Sequence, residues 1–271
     1  MLSRVWSMRF RVFLALKVII FLFLSVFCSP DSLAADSAWK EKKGEHFIVY
    51  HQKAPSRFVD SVLNRAEEIY RKSTQALGFT RTDPWTWDER VRIYIYDDQE
   101  DYQASGAHQW TGGMVWTGEK RIATYPSDQG FFDSLLPHEI GHIVFRDAVG
   151  RKADVPVWFE EGVAVFQEEA GGVGADARVR EALRQGKFIG LRDLGRLQLT
   201  ASSDKDLVRL FYAEAASIVS FLIENGERYR FSRFCDALKS GMDFEKALKK
   251  SYMKYPMIED LEEEWKGFLA Q

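Results

Sequence analysis

The sequence predicts an α+β fold with a small N-terminal mixed sheet, one early helix, a central helix and a helical C-terminal lobe. Strand patterns lie in the first half of the chain, helical patterns fill the part after Asp133, and the two do not alternate. The 271 residues are 46% hydrophobic and 14% aromatic, which is enough for a sizeable core. A folded domain is therefore expected.

The first 34 residues have the pattern of a secretory signal peptide. Four basic residues precede an apolar run from Val18 to Phe27, and small residues follow around Ala34. A membrane anchor is the alternative, but this run of ten residues is about half of the roughly 20 that a spanning helix needs. We expect cleavage near Ala34, export to a periplasm or the medium, and no membrane span in the mature chain.

Charge and cysteine content limit the partners and the crosslinks of the mature chain. The whole chain has a formal charge of −3 and residues 1–34 carry a net +3, so the remainder is near −6. Nucleic acid is therefore not an expected partner. Cys235 is the single cysteine after residue 34, so no intramolecular disulfide is expected. The oligomeric state is left open by the sequence.

The order of elements follows from hydrophobic periodicity. Residues 35–44 are polar without periodicity and predict a solvated leader, so the folded domain is expected over 45–271, with a sheet lobe and central helix over 45–150 and a helical lobe over 151–271. Alternation predicts strands at 46–51, 91–96, 114–116 and 121–125, with a hairpin turn at 117–120. Helical spacing predicts helices at 56–77, 135–148, 156–169, 176–185, 206–225, 229–239, 244–252 and 258–269.

The central helix carries the pattern HExxH, from His138 through Glu139 to His142. Two histidines four residues apart on a helix project from one face and can grip one metal ion. Pro137 suits the first turn of this helix, and Asp133 or Ser134 is a candidate cap. Apolar residues surround the motif, which predicts a buried helix whose imidazoles and carboxylate need a cation as partner.

A catalytic zinc ion normally has three protein ligands and a water, so a third ligand is needed. Gly150 ends the central helix, and Pro156 starts the next one, which contains both Glu160 and Glu161. Helical periodicity alone does not decide between these two glutamates. The one not used as a ligand either orients a histidine or faces solvent.

An HExxH motif followed after 18 residues by a Glu-Gly-x-Ala segment resembles the gluzincin metallopeptidases, with the spacing of the M1 aminopeptidases. The glutamate directly before the glycine is the third zinc ligand in that family, which implies Glu161 here. Residues 44–269 are also similar to the small exported peptidase MA-like proteins. The resemblance implies a zincin-like fold, one Zn²⁺ held by His138, His142 and Glu161, and a peptide or protein substrate.

The same resemblance assigns the reacting groups. Glu139 is expected to be the general base that takes a proton from the metal-bound water rather than a ligand. Several gluzincins use a tyrosine from the downstream helices to stabilise the oxyanion, and Tyr212, among small residues, is the candidate. The alternative for Tyr212 is an ordinary core tyrosine.

One segment departs from the aminopeptidase pattern. The sequence from Gly112 to Met114 resembles the Gly-x-Met-Glu-Asn strand of M1 aminopeptidases, but Val115 and Trp116 replace the Glu and Asn. Since that glutamate recognises a free amino terminus in the family, we expect a specificity other than aminopeptidase. The segment is expected to be an edge strand that binds an extended peptide.

Three aromatic or imidazole side chains near this strand have open roles. Trp110 and Trp116 are candidates for lining the substrate pockets or for simple packing. His108 is a candidate proton carrier, although such a histidine is more often solvated. His46 and His51 have no matched ligand set and are assigned no role.

Two other functions remain compatible with the sequence. The first is a noncatalytic exported module that binds zinc and a peptide without cutting it. The second is zinc-dependent hydrolysis of a nonpeptide substrate, because an activated water can attack other carbonyls.

Overall fold

The computed structural model describes residues 39–79, 86, 89–105, 113–116, 120–126, 131–168, 174–200 and 202–271. The predicted signal peptide, His108, Trp110, Gly112 and most of the predicted turn at 117–120 lie outside these residues. No helix in the described ranges is long and apolar enough to cross a membrane.

A five-stranded sheet forms the N-terminal part of the fold. Its strands are β1 (Lys40–Lys43), β2 (Phe47–His51), β3 (Val91–Ile95), β4 (Gly113–Trp116) and β5 (Arg121–Thr124), in the order β1-β2-β3-β5-β4. The central strands β2, β3 and β5 are parallel, and β1 and β4 are antiparallel additions at the two edges. The predicted mixed sheet is confirmed, and β4 is an edge strand as expected.

Strand β1 differs from the sequence-based expectation. A solvated leader was expected as far as Gly44, but Lys40–Lys43 pair with β2, with Lys42 opposite Val49. All four residues of β1 are exposed. An edge strand requires only backbone hydrogen bonds to one neighbour, so a charged segment without hydrophobic alternation can form it. The expectation of a leader is therefore wrong for residues 40–43.

The core of this part lies between one sheet face, the helix that follows β2 and the central helix. Helix α1 (Ser56–Ala76) follows β2, and α2 (Gln99–Ala104) follows β3, with its first turn capped by Asp98. Along β3 the side chains of Val91, Ile93 and Ile95 are buried while those between them are half-buried. Helix α1 contacts both β2 and the central helix, which fixes that helix relative to the sheet.

The central helix, α3 (Leu136–Val149), begins differently from the prediction. One turn of π-helix, Phe131–Leu135, runs directly into it, so no side chain caps its first turn. Neither Asp133 nor Ser134 is a cap, and Ser134 Oγ instead donates to Glu168 at 2.7 Å. Pro137 lies in the first turn as predicted, and the helix is buried along most of its length.

The remainder of the described chain is helical. The helices are α4 (Val157–Phe166), α5 (Ala175–Gln185), α6 (Leu191–Leu194), α7 (Lys205–Glu224), α8 (Arg228–Lys239), α9 (Phe244–Ser251) and α10 (Ile258–Leu269). Helix α6 was not predicted, since four residues are too short to show a helical period. Helix α4 lies against both α3 and α7, and this packing brings the imidazole side chains of α3 and the carboxylate side chains of α4 together. The fold is α+β and zincin-like.

Candidate metal centre

The two histidines of HExxH face one another on α3. Their Nε2 atoms are 3.2 Å apart, and both residues are buried. The helical spacing of four residues produces this arrangement, because it stacks the imidazoles one turn apart on one face. The pair therefore presents two nitrogen donors to one point.

Glu161 on α4 completes the group of donors. Its Oε2 atom lies 3.5 Å from His138 Nε2, and its Oε1 atom lies 3.8 Å from His142 Nε2. One ligand atom from each of the three residues lies within 4.8 Å of the others. The structure thus selects Glu161 over Glu160 as the carboxylate of the group.

Close packing of glycines sets the position of Glu161. A Cβ atom at Gly162 would collide with the backbone of Ala215 on α7, whose carbonyl carbon would be 2.7 Å away. A Cβ atom at Gly141 would lie 3.0 Å from Cα of Ala164 on α4. Helix α4 therefore lies unusually close to both neighbours, and the residue before Gly162 is held next to the two histidines.

The donors fit a divalent cation. Two imidazoles and one carboxylate are a common zinc donor set. Glu161 Oε2 is a buried oxygen with no hydrogen-bond partner among the described residues, and such an orphan is costly without a cation. Burial lowers the pKa of His138, but contacts with Glu161 and Glu168 outweigh this effect and raise the pKa to about 10. This surplus of carboxylates favours positive charge between the helices.

Glu168, seven residues after Glu161 and just beyond the end of α4, contacts the Nδ1 atom of His138. Its Oε1 atom lies 2.8 Å from His138 Nδ1, and its Oε2 atom accepts the Ser134 hydroxyl. A carboxylate on Nδ1 holds the ring so that Nε2 is available to a metal. The helical pattern of the sequence does not single out this residue, because Glu168 lies two residues beyond the end of α4.

Glu160 pairs with Arg146 and approaches His142. Arg146 Nε donates to Glu160 Oε1 at 2.7 Å, and the same oxygen lies 3.6 Å from His142 Nδ1. Burial raises the pKa of Glu160, but its contacts with His142 and Arg146 lower it more, to about 2. Of the two alternatives left by the sequence, Glu160 contacts the histidine rather than facing solvent.

Glu139 is buried beside the donors but is not one of them. It is 4% exposed, and its Oε2 atom has no hydrogen-bond partner within the described part of the chain. Burial raises the pKa of this carboxyl above its usual range. A carboxylate of this kind is available to exchange a proton with a bound water.

Tyr212 lies on α7, which packs directly on α4. Its ring is half-buried against Val165, Ala175 and Ala216. Burial and the charges of Glu161, Glu168 and Glu139 raise the pKa of the phenol. The hydroxyl therefore remains protonated and keeps its capacity to donate a hydrogen bond.

Other candidate residues do not join this group. His46 Nδ1 lies 2.7 Å from Glu67 Oε2, and the His46 ring stacks on Tyr70, so it belongs to the β2–α1 packing. Cys235 is a free, buried thiol. The backbone of Trp116 belongs to β4, whereas His108 and Trp110 lie outside the described residues.

Residues 80–271 match the family model of the Peptidase MA superfamily. No curated protein matches the sequence. Among solved structures, the structure of native yeast LTA4 hydrolase is similar, with 15% sequence identity and a TM-score of 0.47. This similarity covers 86% of the present chain and 39% of that chain, so the present chain spans less than half of that protein.

Proposed function

Because the chain belongs to the Peptidase MA superfamily, we propose that it is a zinc-dependent peptidase of the gluzincin type. Its single zinc ion would be held by His138, His142 and Glu161. The observation that carries this proposal is the buried group of three donors within 4.8 Å of one another. We also propose that the chain is exported, that its signal peptide is cleaved near Ala34, and that it acts in a periplasm or the medium.

Zinc, when bound, would lower the pKa of a water and polarise the scissile carbonyl. Glu139 would accept the proton of that water on its carboxylate and deliver it to the departing amine nitrogen. The unpartnered Oε2 atom of Glu139 supports this role, because no described residue competes for it. Glu168 would hold the His138 ring through its Nδ1 atom, and Glu160 would favour the orientation of the His142 ring from 3.6 Å away.

Tyr212 is proposed to stabilise the developing oxyanion by donating its phenolic proton as a hydrogen bond. Its half-buried position and its electrostatic interaction with Glu161 and Glu139 support this role. Replacement by phenylalanine would keep the ring and remove the donor. A loss of one oxyanion donor typically lowers kcat by about 10²–10³-fold.

The substrate is proposed to be a peptide segment bound in extended form along β4. The edge position of β4 supports this, since one side of the strand has no partner in the described sheet. Val115 and Trp116 stand where aminopeptidases of this type carry Glu and Asn, so cleavage within a peptide is favoured over removal of its first residue.

The decisive experiment separates metal binding from catalysis. Glu139→Gln should retain one zinc per chain and lose at least about 10²-fold in turnover of a peptide library, because the base is removed but the ligands remain. His142→Ala should lose zinc and activity together. Zinc content is measured by metal analysis and turnover by chelator-sensitive cleavage.

Full activity in Glu139→Gln would contradict the assignment of the base. Zinc binding by the wild type without cleavage of any peptide would instead support a noncatalytic module. Cleavage limited to esters or other nonpeptide carbonyls would support zinc-dependent hydrolysis of a nonpeptide substrate.

A further inference from the structure

Arg146 and Glu160 form an ion pair that joins the two helices of the metal centre. Arg146 lies on α3 one turn after His142, and Glu160 directly precedes Glu161 on α4. Arg146 Nε donates to Glu160 Oε1 at 2.7 Å, and Nη2 contacts Oε2. The remaining nitrogen, Nη1, donates at 3.0 Å to the carbonyl of Ala153 in the segment between the helices.

This geometry restrains α3 relative to α4. Two parallel hydrogen bonds from one guanidinium fix orientation as well as distance. The side chains are only 27% and 19% exposed, so water screens the pair less than it screens a surface ion pair. The bond to Ala153 adds the connecting segment to the same restraint.

The pair also reaches one of the metal donors. Glu160 Oε1 lies 3.6 Å from His142 Nδ1, and the opposite ring atom, Nε2, lies 3.8 Å from Glu161 Oε1. A carboxylate beside Nδ1 favours the proton on that nitrogen and leaves Nε2 as a donor to a metal. Glu160 thus lies beside the histidine of α3, while its neighbour Glu161 supplies the donor of α4.

We propose that Arg146 and Glu160 are positioning residues that hold His142 and Glu161 at ligand separation before a metal binds. Zinc affinity then depends on an ion pair that does not touch the metal. The inference rests on the metal binding of the proposed function. Outer partners of metal ligands contribute about 10–100-fold to affinity, which sets the expected effect.

The test measures zinc affinity by competition with a chromophoric chelator at one pH. Arg146→Gln and Glu160→Gln should each weaken zinc binding by about 10–100-fold. The double variant should lose no more than the weaker-binding single variant, because the pair acts as a unit. Arg146→Lys should not restore affinity, since an ammonium cannot form the fork.

Arg209 supplies the matched control, because its pair with Asp206 is exposed and lies within α7 alone. Arg209→Gln should bind zinc as the wild type does. Glu160→Gln changes no side-chain size, and its folding is checked by the thermal midpoint of the metal-free protein. Only the folded fraction enters the comparison.

Wild-type affinity in both single variants would overturn the positioning role, and so would multiplicative losses in the double variant. If the wild type itself bound no zinc, the proposed function would fail and the positioning role with it. Tight zinc binding by all the variants would leave the proposed function intact and remove only the present inference.

Discussion

Glu139 and Glu161 are both buried beside the same two imidazoles, yet their surroundings suit different roles. The oxygens of Glu161 lie 3.5 and 3.8 Å from the Nε2 atoms of His138 and His142, whereas Glu139 is not part of that donor group. A ligand needs both a donor atom and a fixed approach to its partners. The Oε2 atom of Glu139 has no hydrogen-bond partner among the described residues, which agrees with the proton-transfer role proposed for this carboxylate.

Glu214 is a buried acid whose hydrogen bonds lie outside the metal centre. It is fully buried on α7 and accepts the N–H groups of Ile189 at 2.9 Å and Gly190 at 3.3 Å. Burial raises its pKa from 4.5 to about 7, although these hydrogen bonds act in the opposite direction. The carboxyl holds the segment between α5 and α6 against α7.

This shift predicts a pH dependence of stability. Between pH 4.5 and about 7 the folded state binds more protons at Glu214 than the unfolded state does. The free energy of unfolding should therefore fall as pH rises through this interval, by roughly 3 kcal/mol at most, and this contribution should be constant above it. Urea unfolding of the metal-free wild type and Glu214→Gln, at several pH values, measures the contribution.

The difference between the two unfolding free energies should change with pH only over that interval. A difference that stays constant from pH 5 to pH 8 would show that Glu214 does not titrate in this range.

Among the elements, the contact of α4 with α7 is the one that positions the third donor. Gly162 allows the two backbones to approach, and Glu161 precedes it in the same helical turn. A side chain at position 162 would have to push the helices apart. The close approach of α4 to α7, which positions Glu161, therefore requires glycine at position 162.

Gly162→Ala should destabilise the fold by about 1–3 kcal/mol, because a methyl group is forced against the rigid backbone of Ala215. It should also weaken zinc binding, since Glu161 moves with the helix. Gly267 on α10 is the control, because a Cβ atom there would meet nothing within 4 Å. Gly267→Ala should raise stability by about 0.5–1 kcal/mol.

Thermal unfolding and zinc titration of both variants check these expectations. Equal and small effects of the two substitutions would contradict the close approach at Gly162.

The elements with strong periodicity were predictable, and those fixed by tertiary contacts were not. Helix α10 has the predicted bounds, because Ile258, Leu261, Trp265 and Leu269 repeat at helical spacing and are all buried. Strand β1 and helix α6 carry no such repeat. The π-helical turn before α3 also has no sequence signature, so a capping residue was expected where the helix simply continues.

At the scale of the whole molecule, the metal centre joins elements from both parts of the chain. His138 and His142 lie on the helix that packs on α1 beside the sheet, and Glu161 lies on the helix that packs on α7. A ligand that binds only the folded state stabilises it by mass action. Zinc is therefore expected to stabilise the entire domain rather than one helix.

At a zinc concentration one hundred times its Kd, the gain should be about 2.7 kcal/mol. For a domain of this size this corresponds to a rise in Tm of about 5–10 °C. Calorimetry with zinc and with excess chelator measures the shift. His142→Ala should unfold at the same temperature under both conditions, and a shift that survives this substitution would place the stabilising ion elsewhere.

The donors were predictable from a local spacing rule and a family resemblance, whereas the residues that support them depend on contacts between helices. His138 and His142 are related by helical spacing, and the family resemblance identified Glu161. Arg146 also has helical spacing from a donor, and Glu168 lies just beyond the end of α4, but position in the sequence alone does not say which side chain a neighbouring helix will meet. The position of α4 against α3 supplies that information.

The charge of the β1 edge of the sheet affects the behaviour of the protein in concentrated solution. Strand β1 presents four exposed charged residues, three of them lysines, along one edge. A second copy pairing there would bring like charges into contact, which disfavours growth of the sheet from molecule to molecule. The lysine-rich edge thus protects against aggregation, and replacing its lysines with threonine would be expected to lower solubility.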